Sequence, residues 1–80
     1  MPSRRVRLTF PTKLVKEPII YNVGVNFQVV TNIRRANIEN SAGWVVLEIS
    51  GGEDALTRAE EYMRDLGVEV EPIVGDIVDS

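Results

Sequence analysis

The sequence predicts an α+β domain of order β-α-β-β-α-β, a four-stranded antiparallel sheet in spatial order 4-1-3-2 with two helices on one face. Three observations predict it. Four short segments alternate apolar and polar residues, the period of a half-buried strand. Two further segments repeat apolar residues at three- and four-residue steps, the period of a helix packed on one side. Gly, Pro and Asn punctuate the joins between them. A chain of 80 residues has room for one domain, read here as 1–80 with its core at 5–73 and an acidic tail at 74–80.

The first strand is Val6-Arg7-Leu8-Thr9-Phe10, where Val6, Leu8 and Phe10 share one face and Pro11 removes the next ladder donor. A weak helix follows from Pro18 to Phe27. Proline suits a first turn, and Ile19, Ile20, Val23 and Phe27 form the apolar stripe. Its Val-Gly-Val-Asn centre propagates a helix poorly, so tertiary packing must hold it. The second strand, Val29 to Ile38, changes its buried parity from Val29, Thr31 and Ile33 to Ala36 and Ile38. Such a switch needs one extra residue, and the bulge is placed at Arg34 to Ala36. Asn40-Ser41-Ala42-Gly43 turns the chain into a third strand, Trp44 to Ser50.

Gly51-Gly52 releases the chain into the strongest helix, with Glu53 and Asp54 at its positive end and Gly67 stopping it. Ala55, Leu56, Ala59, Met63 and Leu66 are read as its apolar face, with Glu60 and Glu61 on the solvent side and Arg64 one turn beyond Glu60. Val68-Glu69-Val70-Glu71 is the last strand, ended by Pro72.

The formal charge of −3 argues against a nucleic-acid module, which carries a basic excess. Charge is unevenly spread all the same. Residues 1–16 hold five basic residues and no acid, while 53–80 hold nine acids against Arg58 and Arg64. The strand order sets the two ends side by side, with Arg5 and Arg7 sharing the open sheet face with Glu69 and Glu71. That face also takes Trp44, Val46, Glu48 and Ser50, because Val45, Leu47 and Ile49 must point to the helices. An aromatic beside an aliphatic on an uncovered sheet is read as an interface, Trp44 and Val46 covered by a second copy or a ligand. A chain this short, marginal alone, gains stability from such a homodimer.

Catalytic chemistry has few residues to work with. The chain has no His and no Cys, so the commonest general base and nucleophile–base pairs are missing, and neither lysine lies near a structured serine. The chain is read as non-enzymatic, without cofactor or metal: Asp54, Glu60, Glu61 and Asp65 look like a solvated helix face, and the glycines make no phosphate loop. No apolar run reaches the roughly 20 residues that span a bilayer, and the start lacks a secretory segment, which gives the expectation of a cytoplasmic protein.

The segment Asn32-Ile33-Arg34-Arg35-Ala36-Asn37-Ile38 followed by Gly43-Trp44-Val45-Val46-Leu47-Glu48-Ile49-Ser50-Gly51 resembles the NIL domain, a family named for Asn-Ile-Leu in its second strand. Leu8-Thr9-Phe10-Pro11, Pro18 and Leu66-Gly67-Val68-Glu69-Val70 extend the likeness over roughly 5–73. The resemblance implies a ferredoxin-like, ACT-like fold. It also implies a place at the end of methionine-importer ATPase subunits, where the family senses the transported amino acid, or beside ferredoxin modules. Arg34 stands where the motif has Leu, and Ala36 where Gly is common. An arginine there offers a planar, two-pronged donor to a ligand carboxylate. The expectation is therefore an amino-acid-binding regulatory domain with Asn32, Ile33, Arg34 and Trp44 at its site. The alternative is an interaction module for a ferredoxin-type or ABC-transporter partner.

Overall fold

The computed structural model describes residues 2–39 and 42–74. The elements are β1 (Ser3–Phe10), a 3₁₀ turn (Thr12–Leu14), α1 (Ile19–Phe27), β2 (Val30–Ile38), β3 (Gly43–Ser50), α2 (Glu53–Leu66) and β4 (Glu69–Pro72). All pairings in the sheet are antiparallel, in the order β2-β3-β1-β4, which is the predicted 4-1-3-2. The strands begin or end up to three residues from their expected limits, and the short 3₁₀ turn after Pro11 was not foreseen.

The core forms where the inward parities of the strands meet the two helix stripes. Val6, Leu8 and Phe10 of β1, Val45, Leu47 and Ile49 of β3, and Val70 of β4 are buried with Ile19 and Val23 of α1 and Leu56, Ala59 and Met63 of α2. Phe27 closes the seam between the helices against Tyr62, ring centroids 5.2 Å apart.

In β2 the register slips between Ile33, opposite Leu47, and Arg35, opposite Val46. Arg34 is thus the extra residue, at the start of the stretch where a bulge was expected. Thr31, Ile33 and Ala36 stand opposite the inward residues Ile49, Leu47 and Val45, so the slip restores the apolar parity.

Two readings of α2 are corrected. Glu60 is only 8% exposed rather than on the solvent side. Position 60 lies one turn from the fully buried Leu56 and beside Ala59, on the flank of the apolar stripe. Its carboxylate accepts a hydrogen bond from Arg4 at 3.1 Å and pairs with Arg64 at 3.6 Å. Leu66, expected inside, is substantially exposed at the helix end. It is the last residue before the Gly67 stop, three positions beyond the fully buried Met63.

The basic N-terminal strand is neutralised by a route other than the one expected. Thr9 stands opposite Glu69 and Arg7 opposite Glu71, so the two ends of the chain do lie together on the open face. The ion pairs of this strand, however, run through Arg4 on its inward parity. Arg4 also bonds Glu53 at 3.0 Å and Thr57 at 3.0 Å, which clamps the start of β1 to α2. Hydrogen bonds to Glu53 and then Glu60 raise its pKa above the ordinary arginine value. On the arginine side, a raised cationic pKa means that this stabilisation is lost only in strong alkali.

Candidate functional site

The open sheet face is ordered in rows across four strands. One row runs Asn37, Trp44, Thr9, Glu69; the next runs Arg35, Val46, Arg7, Glu71; a third brings Asn32, Glu48 and Arg5 together. Trp44 and Val46 are half-buried here. The Arg7 guanidinium lies over the indole, 4.7 Å from the ring centroid, covering an aromatic surface that β3 leaves uncovered.

Of the four residues expected at the site, Asn32, Arg34 and Trp44 reach this open face, while Ile33 points to the helix side. Arg34 turns across β3 to Glu48, with Nη1 and Oε1 3.5 Å apart. Trp44 and Glu48 are four strand residues apart, about 13 Å. The polar group at the bulge and the indole are therefore two places on one face.

At the Trp44 end the face hollows into a concavity of about 210 Å³, lined by Thr9, Asn37, Glu39, Ala42, Gly43 and Trp44. That is smaller than the roughly 300–1,000 Å³ of drug-sized sites and suits one small metabolite. It joins an aromatic wall, a carboxylate, an amide and a hydroxyl, with the Arg7 cation over the wall. Sequence reasoning missed Thr9, Asn37 and Glu39. The signal available was strand parity, since Thr9 and Asn37 are the cross-strand neighbours of Trp44 on either side.

A second hollow of about 250 Å³ opens on the helix side, between α1 and the outer strand β2. Phe10, Pro18, Ile20, Tyr21, Ile33 and Ile38 line it, and it is almost wholly apolar. Tyr21, Ile33 and Ile38 are each more than half exposed. Among the described residues no cluster of three or more acidic or thiol ligands could hold a metal ion, and no helix is long and apolar enough to cross a membrane.

A sheet of this order with two helices and a bulged second strand defines a small ferredoxin-like α+β domain, and comparison identifies its family. The sequence matches the family model of the NIL domain over residues 4–72, and the chain belongs to that family. It is 33% identical over 77 residues to the methionine import ATP-binding protein MetN of Halalkalibacterium halodurans, a match that covers 91% of this chain and 23% of the relative. The crystal structure of the C-terminal domain of an ABC transporter ATP-binding protein from Enterococcus faecalis superposes with a TM-score of 0.80 at 32% identity. That match covers 91% of this chain and 86% of the other. The chain thus has the fold and family of a domain carried by transporter ATP-binding proteins, and spans about a quarter of the curated relative.

Proposed function

We propose that the chain is a non-catalytic regulatory domain that binds a free amino acid on its open sheet face and serves an ABC-type transporter from the cytoplasmic side. The observation that carries this reading is the match, along nine-tenths of the chain, to a protein described as importing methionine. The face has the groups that the task needs. A zwitterion requires a cation for its carboxylate, an anion for its ammonium and a surface for its side chain.

The Trp44 end supplies all three, with Arg7, Glu39 and the indole, while Asn37 and Thr9 offer hydrogen bonds that fix orientation. The bulge end supplies Arg34, Glu48 and Asn32 but no comparable hollow among those described, so the Trp44 end is the preferred seat. Isothermal calorimetry and thermal shift against each of the twenty amino acids test the reading. At least one should stabilise the protein at millimolar concentration, and Glu39→Gln or Trp44→Ala should weaken that response about tenfold or more. Silence from all twenty removes the sensing function. Loss on Arg34→Ala or Asn32→Ala alone moves the ligand to the bulge.

The second reading is an interaction module for a larger protein, a transporter ATPase or a ferredoxin-type partner. It is favoured by the relative that carries this domain within a chain of which it forms only 23%. Binding of a purified ATP-binding subunit in the absence of any amino-acid response distinguishes it.

A further inference from the structure

The open face carries charges that the fold itself does not use. Arg34 is paired with Glu48, but Arg5, Arg35, Glu69 and Glu71 form no ion pair among the described residues. Their placement is ordered. The middle row reads Arg35, Val46, Arg7, Glu71 from β2 to β4, with a cation at one margin and an anion at the other. The row at the hairpin end reads Asn37, Trp44, Thr9, Glu69, and the third reads Asn32, Glu48, Arg5. Between the charged margins lie the indole, Val46 and the aliphatic stem of Arg7.

Two sheets that stack face to face keep their strands within about 30° of each other. A two-fold axis relating two identical faces then runs either across the strands or along them. An axis across the strands sets each strand over its own copy. Through the middle row it places Arg35 on Arg35, Arg7 on Arg7 and Glu71 on Glu71. Shifted by half a row it places Glu69 on Glu71, or Arg7 on Arg5. Like charges meet in each case. An axis along the strands, between β3 and β1, instead sets β2 over β4 and β3 over β1 of the second copy.

We propose that two copies of this chain stack through their open sheet faces about the axis that runs along the strands. Arg35 then faces Glu71 of the second copy twice, and Glu48 faces Arg5 of the second copy twice. Every facing pair of ionised groups in the three rows is opposite in sign. Asn37 offers its amide to Glu69 of the second copy. Trp44 rests over Thr9 of the second copy and Val46 over the stem of its Arg7, so each face covers the apolar centre of the other inside a polar rim. One symmetry operator satisfies this face and the other does not, which is the mark of a surface fitted to its own copy.

Size sets the strength. Four strands, of which β1 and β3 are eight residues long, make a face of about 19 by 26 Å, or about 500 Å² before its side chains add relief. That places the contact at the small end of specific interfaces. A reversible dimer is the consequence. The stack does not rest on the ligand reading: sedimentation without added amino acid reports the stack, and calorimetry reports the ligand, so either can fail alone.

Analytical ultracentrifugation of the full chain at rising concentration is the test, with circular dichroism to verify folding. Wild type should associate. Arg35→Glu and Glu71→Arg should each weaken association about tenfold, because each turns two attractive contacts repulsive. The double swap Arg35→Glu/Glu71→Arg should restore it to within about threefold. Trp44→Ala should weaken it about tenfold or more, since it empties the centre of the stack. Glu71 is the decisive position, because it lies on the β4 side and a contact made through the β2 side alone leaves it without effect. A wild type that stays monomeric to millimolar concentration overturns the proposal. So does association that Glu71→Arg or Trp44→Ala leaves unchanged, or that the double swap fails to restore.

Discussion

Arg4 and Glu60 decide how the start of the chain is held, and the observed strand and helix periods account for both positions. Arg4 shares the inward parity of Val6, Leu8 and Phe10, while Glu60 shares the inward flank of Leu56, Ala59 and Met63. A cation and an anion directed into the same layer from two elements form a pair. The sequence reading put Glu60 in solvent because it weighed the charge above the spacing. Removing the cation leaves a nearly buried carboxylate with only Arg64 at 3.6 Å. Arg4→Ala should therefore cost ~1–2 kcal/mol in urea denaturation, the scale of a charged partner removed from a partly solvated pair. Glu53→Ala should cost under ~0.5 kcal/mol, because Glu53 is largely exposed. Equal losses from the two variants would show that Glu60 gains nothing from its position. At the site, Trp44 could be assigned to the open face from the alternation of β3 alone. Its neighbour Asn37 follows only once the bulge that resets the parity of β2 is placed, because single-strand alternation loses phase there, and Glu39 lies past the end of the strand.

The two helices end in the same backbone conformation with different residues. Gly67 follows α2 at φ 107°, and Gln28 follows α1 at φ 56°. Glycine enters this left-handed region freely, whereas a residue with a Cβ is strained by about 1–2 kcal/mol. Gly67→Ala should thus destabilise by ~1 kcal/mol, although an added methyl would meet only the Leu14 side chain at 3.6 Å. Gln28→Gly should be neutral to stabilising by up to ~1 kcal/mol, strain relief being offset by the greater freedom of glycine in the unfolded chain. Opposite signs in paired denaturant melts are expected; a loss in both would mean that the Gln28 side chain contributes more than its strain. The stop after α2 was plain in the sequence because glycine advertises it. The stop after α1 carries no such residue, and the helix limit came instead from the rise in β-branched residues that follows. The 3₁₀ turn at Thr12–Leu14 left no periodic trace, since three residues are too few to repeat.

For the molecule as a whole, the pattern of exposed apolar surface decides what the domain needs. Burying a core in 80 residues leaves a modest reserve of stability, and here the unsatisfied surface gathers on one edge of the slab. The class of fold and the strand order followed from hydropathic period and punctuation. The exposed apolar edge did not, because it depends on which groups remain uncovered, a property of the assembled sheet. If native protomers associate and unfolded chains do not, mass action ties thermal stability to protein concentration. Each tenfold rise adds ~1.4 kcal/mol per dimer, or ~0.7 per protomer, once the concentration exceeds the dissociation constant. At the entropy of unfolding of so small a domain this is a rise in Tm of about 3–5 °C per decade. Scanning calorimetry over two decades should show that slope for the wild type and, where the open face is the contact, a flat Tm for Trp44→Ala. A slope shared by both would place the stabilising contact elsewhere on the surface. A flat wild type would mean that the protomers stay apart and that the marginal core is sufficient on its own.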